Sequence, residues 1–146
     1  NIFNEAVLAK GICIKSIKRR GLTLQQLADI ADCYPCHSEL IFASQLSKEQ
    51  LRAKFIDCLI DSDCFIIVNY DRSVILQKGR GHFSPIGAYD SRRQLVLILE
   101  TSRYRYGPQW VAVDAMCSAM CSLASNESES RGFLVLRQPV KESIHI

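Results

Sequence analysis

Apolar residues recur at helical spacing in four stretches of the chain, and capping residues precede two of them. Thr23 stands directly before one stretch, and Ser47 with Gln50 three residues later forms the pattern of a capping box. Such side chains satisfy backbone N–H groups that a helix start leaves free, so they mark helix N-termini. The predicted helices cover residues 5–10, 23–32, 47–60 and 113–123, and a connector ending at Gly21 joins the first two.

Shorter apolar runs, rich in branched and aromatic residues and bounded by turn residues, predict strands. The clearest is Phe65-Ile66-Ile67-Val68, which has the length and composition of a buried strand. The predicted strands cover residues 38–43, 64–70, 82–89, 94–99 and 133–136.

This order of elements, with helices first and a sheet rich in hairpins after them, predicts an α+β domain with an antiparallel sheet. Residues 1–146 are short enough to form one domain, and no internal repeat or second domain is visible. Residues 125–130 are polar and are predicted to form a surface loop, and the tail from Pro139 is predicted to be loose.

Composition narrows the class of protein. The chain is 48% hydrophobic and 23% charged, which is typical of a globular domain rather than a disordered one. A formal net charge of +3 is too small to favour a nucleic-acid partner, and we interpret Lys18-Arg19-Arg20 as a solvated surface. No apolar run reaches the roughly 18–20 residues that span a bilayer, and no secretory signal is visible. We therefore expect a cytoplasmic protein with neither a membrane nor a nucleic acid as partner.

Seven cysteines, an odd number, favour a reducing compartment with mostly buried thiols over a disulfide scaffold. Cys33-Tyr34-Pro35-Cys36-His37 also has the spacing of a zinc knuckle, a redox motif or a haem attachment site. A zinc site needs a second pair of ligands. Cys58 with Cys64, or Cys117 with Cys121, matches that need only loosely; we expect the last two to share a buried helix face.

One predicted hairpin brings a histidine to a carboxylate. If Asp90-Ser91-Arg92 is a three-residue loop, His82 lies directly opposite Glu100 on the neighbouring strand. Opposed residues have Cβ atoms roughly 4.5–5.5 Å apart, so the imidazole and the carboxylate can form a hydrogen bond. Such a bond fixes the ring tautomer and stabilises the imidazolium. Taken alone, the pair fits a structural role as well as a catalytic one.

The sequence Gly-Arg-Gly-His-Phe-Ser-Pro-Ile-Gly-Ala-Tyr at residues 79–89 resembles the phytochelatin synthase family, the glutathione γ-glutamylcysteinyltransferases. The similarity spans roughly residues 11–137. Besides the first motif, it is carried by residues 21–27, 68–72, 97–111 and 131–133.

The resemblance implies a papain-like fold with a Cys-His-Asp triad. His82 matches the triad histidine, which acts as acid and base, and Glu100 stands where the family has Asp, so an extra methylene must be absorbed. Arg72, Arg103 and Tyr106 match positions that bind the substrate or the acyl-enzyme. Two further positions depart from the family: Arg105 replaces a lysine, and Gly107 replaces a proline.

The family's nucleophilic cysteine, in a Tyr-Cys-Gly-like context, has no counterpart in the sequence. Cys13 alone precedes Gly21, and its neighbours lack that pattern. The first residue, Asn1, is not a methionine, and we expect the chain to be part of a longer enzyme. That enzyme would release glycine from glutathione and transfer the γ-glutamylcysteinyl group to glutathione or water. As given, the chain is expected to make no phytochelatin.

The resemblance also implies that glutathione and its metal complexes are partners. Cd²⁺ or Zn²⁺ would activate the reaction as glutathione thiolates, without a metal site in the chain. Two alternatives stay open. One is a truncated isoform or pseudoenzyme that binds glutathione or its metal thiolates without turnover. The other is a papain-like peptidase or a hydrolase of glutathione conjugates.

Overall fold

The structure is a computed structural model that describes residues 4–122 and 131–139. Both predicted helix starts are confirmed, because the hydroxyls of Thr23 and Ser47 accept backbone N–H groups in complete capping boxes. The helices are α1 (Glu5–Ala9), α2 (Ile14–Arg20), α3 (Leu24–Ala31), α4 (Lys48–Ile60) and α5 (Val113–Cys121).

Within residues 4–122 and 131–139, six strands form one sheet in which every neighbouring pair is antiparallel. They lie in the order β1-β6-β2-β3-β4-β5. The chain is thus a mixed helix and antiparallel-sheet protein, and the α+β prediction is confirmed. The strands are β1 (His37–Phe42), β2 (Cys64–Asp71), β3 (Gly81–Asp90), β4 (Leu95–Ile98), β5 (Gln109–Ala112) and β6 (Gly132–Arg137).

Among the described α-helices and strands, two were not predicted. The α2 helix lies in the expected connector, and it has no buried residue and three basic residues in its last turn, so its apolar periodicity is weak. The β5 strand is four residues long at the edge of the sheet, and only Val111 in it is buried. The predicted loop at 125–130 lies outside the described residues, and so does the predicted tail beyond Pro139.

Helices cover both faces of the sheet. On one face α4 and α5 pack over β2, and Phe55 of α4 lies with its ring centroid 5.1 Å from that of Phe133 on β6. On the other face, Leu24 and Ala28 of α3 pack on the fully buried Leu134. Burial of one large apolar side chain stabilises a fold by roughly 1.5–3 kcal/mol, so this packing stabilises the central strands. Within the described ranges, no helix combines the length and the apolar character that a membrane crossing requires.

The β3–β4 hairpin differs from the prediction. Asp90 pairs with Leu95, so four residues, 91–94, form the turn, rather than three. An irregularity between Ile86 and Ala88 then shifts the pairing by one residue, and Ile86 pairs with Ile98. The predicted register, which placed His82 directly opposite Glu100, is therefore wrong.

Candidate active site

His82 lies near the start of β3, where the neighbouring strand fixes both its backbone and its ring. Tyr70 is its partner on β2, and the two rings meet edge to face with centroids 5.9 Å apart. The side-chain amide of Asn69 donates to the carbonyl oxygen of His82 at 3.2 Å. The His82 side chain is 18% exposed, so one part of an otherwise packed imidazole reaches the surface.

Glu100 reaches His82 across a diagonal of the hairpin. The backbone N–H of Leu99 donates to the carbonyl of Pro85, which brings Glu100 level with Ser84, two residues from His82 on the same strand. Diagonal neighbours are within reach of long side chains. Glu100 Oε1 lies 2.5 Å from His82 Nε2, so the predicted contact is confirmed although the predicted register is not. The added methylene of glutamate spans this diagonal.

All the hydrogen bonds that the Glu100 carboxylate makes with the described residues are made by one oxygen, Oε1. Besides the imidazole, Oε1 accepts Arg72 Nη2 at 2.9 Å and the backbone N–H of Ser102 at 2.8 Å. Oε2 is buried and has no hydrogen-bond partner within the described residues. Because the side chain is fully buried and held from three directions, the carboxylate has a fixed place and orientation.

Burial lowers the pKa of His82 below its ordinary value, and the nearby charge of Arg72 acts in the same direction. The hydrogen bond and the charge of Glu100 oppose this shift without cancelling it. The ring is therefore mainly neutral at pH 7. Since Nε2 faces the carboxylate, we assign the ring proton to Nε2.

The other ring nitrogen is available for chemistry. Within the described parts of the chain, Nδ1 of His82 makes no hydrogen bond, whereas Nε2 contacts both Glu100 and the hydroxyl of Thr101, the latter at 3.1 Å. A neutral imidazole that donates from Nε2 has its lone pair on Nδ1. Such a ring can accept a proton there, and the buried carboxylate stabilises the resulting cation.

Arg72 lies behind the carboxylate rather than at the surface. It is 4% exposed, and its guanidinium lies 5.6 Å from the centre of the Tyr106 ring. The Tyr106 hydroxyl in turn accepts the backbone N–H of Lys78 at 2.8 Å. The predicted role of Arg72 in binding substrate stays a prediction, and the contacts that the structure gives it are internal.

A cavity of about 680 Å³ opens beside Glu100 and Thr101. Its wall includes Arg103, which is exposed, and Tyr106. The structure thus brings Glu100, Arg103 and Tyr106 to one cavity, with His82 bonded to two of the wall residues. The residues lining it are Pro85, Leu99, Glu100, Thr101, Arg103, Tyr106, Gly107 and Pro108.

The cysteines are less buried than predicted. Only Cys58 and Cys117 are buried, and Cys121, which was expected to share a buried face with Cys117, is exposed at the end of α5. Burial raises the pKa of Cys58, and it raises that of Cys117 to about 11. Burial, with the Asp61 carboxylate, also raises the pKa of Cys64 to about 11.

The cysteine thiols that form hydrogen bonds among the described residues bond elsewhere than to His82. None of the seven cysteines, all within residues 4–122, forms a hydrogen bond with the imidazole, and Cys33 and Cys36 donate to carbonyl groups of α3. In the part of the chain that the structure describes, no three His, Cys, Asp or Glu side chains are arranged to hold a metal ion.

Several residues of the candidate site were not predicted from the sequence. Tyr70 and Asn69 carry no local signal, because their role depends on how β2 pairs with β3. Thr101 and the backbone of Ser102 follow Glu100 directly, and a polar pair after a buried carboxylate is a signal that could have identified them.

Known proteins that are similar to the chain belong to one family. A family model described as phytochelatin synthase matches residues 1–133. Glutathione gamma-glutamylcysteinyltransferase 1 of Arabidopsis thaliana is 31% identical over 96% of the chain and 29% of its own length. Glutathione gamma-glutamylcysteinyltransferase 3 of Lotus japonicus is 34% identical over 92% of the chain and 28% of its own. The Schizosaccharomyces pombe glutathione gamma-glutamylcysteinyltransferase is 26% identical over 91% and 31%. The chain therefore spans about three tenths of the length of these relatives, and it belongs to the phytochelatin synthase family.

Proposed function

We propose that the chain forms the histidine and carboxylate part of an enzyme that transfers the γ-glutamylcysteinyl group of glutathione. The acceptor is a second glutathione or water, and glycine is released. The observation that carries this proposal is the imidazole of His82, which a buried carboxylate holds beside a cavity that Arg103 lines, and whose Nδ1 makes no hydrogen bond with the described residues. Family membership supplies the substrate class.

The proposed reaction has two steps. A cysteine thiol gives its proton to His82 Nδ1 and attacks the carbonyl carbon that joins the cysteine of glutathione to glycine. The C–N bond breaks, the imidazolium returns the proton to the glycine amine, and a thioester remains. The amine of a second glutathione then forms a new C–N bond while the S–C bond breaks, and His82 carries the proton back to the thiolate. Glu100 stabilises the imidazolium in both steps.

Glutathione carries two carboxylates, and a positively charged side chain on the cavity wall can bind one of them. We assign this role to Arg103, since it is exposed on the cavity wall and a guanidinium can bind a carboxylate with two parallel bonds. The Tyr106 side chain lines the same cavity. In this proposal Cd²⁺ or Zn²⁺ enters with the substrate as a glutathione thiolate complex, and the enzyme acts in the cytoplasm on a papain-like frame.

We also propose that the nucleophilic thiol comes from polypeptide outside these 146 residues. The raised pKa values of Cys58, Cys64 and Cys117 support this, because a thiol and not a thiolate predominates there at neutral pH. The absence of any hydrogen bond between a cysteine of the chain and His82 supports it as well.

The test is to compare two proteins: the 146-residue chain, and the product of the complete coding sequence that contains it. Each is incubated with glutathione and Cd²⁺, and glycine and γ-glutamylcysteine oligomers are measured by mass spectrometry. We expect oligomers and a thioester adduct from the complete protein and neither from the chain. Glutathione binding without glycine release by the complete protein would contradict the proposal and indicate a non-catalytic binding protein.

A further inference from the structure

Arg72 makes the contacts of a residue that acts on Glu100. Its guanidinium Nη2 lies 2.9 Å from the same Glu100 oxygen that the imidazole of His82 contacts. The side chains of Arg72 and Glu100 are 5% and 0% exposed, so water does not screen this pair strongly. Arg103, in contrast, is exposed and lines the cavity.

The surroundings of Arg72 hold it toward the carboxylate. Tyr106 lies under the guanidinium, and its hydroxyl is bound by the backbone N–H of Lys78. On the other side the chain passes close by at Gly79, where a Cβ would lie 3.3 Å from Arg72 Cδ. Gly79 also has φ +114°, which L side chains rarely adopt, so this close approach requires glycine. The guanidinium is thus confined by the 72–81 segment and the 102–107 turn.

We propose that Arg72 is a positioning residue that acts through Glu100 and does not itself bind the substrate. It fixes the carboxylate for His82 and offsets the buried negative charge. Because Arg72 competes with the imidazole for one oxygen, it also limits how strongly that carboxylate favours the imidazolium. The effect on catalysis rests on the proposed function. The contacts of Glu100 with Arg72 and His82 do not depend on it.

The charged and titratable groups that face His82 are few. From β2 comes Tyr70, whose pKa is raised chiefly by burial, and from the segment after β4 comes Glu100. Arg72 is at the end of β2, and the hydroxyl of Thr101 completes the set. Replacing Arg72 by a neutral residue therefore removes the one cation of this set.

The first measurement is the pKa of His82 by NMR titration of the 146-residue chain, labelled at histidine. R72Q is expected to raise the pKa of His82, and E100Q to lower it. R103Q, a matched change of an exposed arginine, is expected to leave it unchanged. An unchanged pKa of His82 in R72Q would overturn the proposal.

Folding supplies the second measurement, which keeps the test decisive if one variant is unstable. R72Q and E100Q are each expected to lower the urea midpoint of unfolding, because each leaves a buried charged group without its partner. The double variant R72Q/E100Q is expected to lower it by less than the sum of the two. Additive losses would contradict a direct coupling of the two side chains.

Turnover of glutathione by the complete protein separates positioning from substrate binding. R72Q is expected to lower kcat by about 100-fold with KM changed less than twofold, since misplacing a catalytic group by about 1 Å costs about that much. R72K, which keeps the charge and loses the planar fork, is expected to recover part of the loss. A raised KM with unchanged kcat in R72Q would overturn the proposal. Should the complete protein not turn over glutathione, the proposed function fails, while the NMR and urea results still decide the inference.

Discussion

Two arginines are buried in the described part of the chain, and they have different surroundings. Arg131 and Arg72 have side chains that are 4% and 5% exposed, and each lies near a carboxylate. Arg131 donates to the carbonyl and the hydroxyl of Ser122, at 2.6 and 2.9 Å, and its distance to the Asp71 carboxylate is 3.6 Å. It therefore fastens the end of α5 to the end of β2.

Arg72 differs because its partner, Glu100, also contacts a histidine. The Glu100 oxygen that it binds also contacts the imidazole of His82, and Glu100 lines a cavity. Asp71 beside Arg131 bonds mainly to the neighbouring Ser73, and neither residue meets a histidine among their described contacts. We therefore interpret Arg131 as a stabilising residue, and Arg72, which shares the Glu100 carboxylate with a titratable ring, as part of the candidate site.

Among the variants that compare the surroundings of the two arginines, the largest effect is expected from E100Q, which keeps the shape of the side chain and removes its charge. An amide at this position cannot stabilise the imidazolium in the same way, and kcat for glycine release by the complete protein is expected to fall by about 1,000-fold. Steady-state rates at saturating glutathione measure this. A loss of less than tenfold would contradict the role assigned to Glu100.

R131M is the matching change in the other cluster. Removing one partner of a buried ion pair and its hydrogen bonds is expected to lower the free energy of unfolding by about 3–5 kcal/mol. Urea denaturation measures the loss, with R92M in the exposed turn as a control that should stay within about 0.5 kcal/mol. The kcat of the folded protein should not change. A large loss of kcat without a loss of stability would remove the contrast between the clusters.

R103Q tests the wall of the cavity. Loss of one charge-assisted bond to a substrate carboxylate costs about 1.5–3 kcal/mol, so KM for glutathione is expected to rise by about tenfold or more while kcat is kept. R92Q serves as the control for a general change of net charge. Equal KM values in R103Q and wild type would argue against Arg103 as the substrate cation.

The smallest expected effect is on the free energy of unfolding at acidic pH. Burial lowers the pKa of His82 in the folded state, so the unfolded chain binds this proton more readily. The free energy of unfolding is then expected to fall as the pH drops below the ordinary histidine pKa of about 6.5. Urea titrations at several pH values, compared between wild type and H82Q, isolate this contribution. An identical pH dependence in both proteins would contradict it.

The sequence predicted local features better than pairings. Thr23 and Ser47 identified two helix starts correctly, since capping depends on residues three positions apart. The register of the β3–β4 hairpin was wrong because the turn contains Gln94, in a left-handed conformation at φ 54°, and the pairing shifts near Gly87. The pattern of apolar residues predicts neither irregularity.

In the candidate site, too, contacts that depend on strand pairing were predicted less well than local features. The contact of His82 with Glu100 was predicted, but it arises from a diagonal and not from direct opposition. The burial of Arg72 on Glu100 could not be predicted, because it depends on where β2 ends relative to the segment after β4. Contacts between residues distant in sequence require the fold.

We propose that the cluster around His82 performs chemistry and does not only hold the sheet together. The most direct measurement is the rate of glycine release from glutathione by the complete protein carrying H82Q, together with its urea midpoint. We expect a rate at least about 1,000-fold below wild type, with the urea midpoint retained. Glycine release at the wild-type rate, with a lowered midpoint, would contradict it.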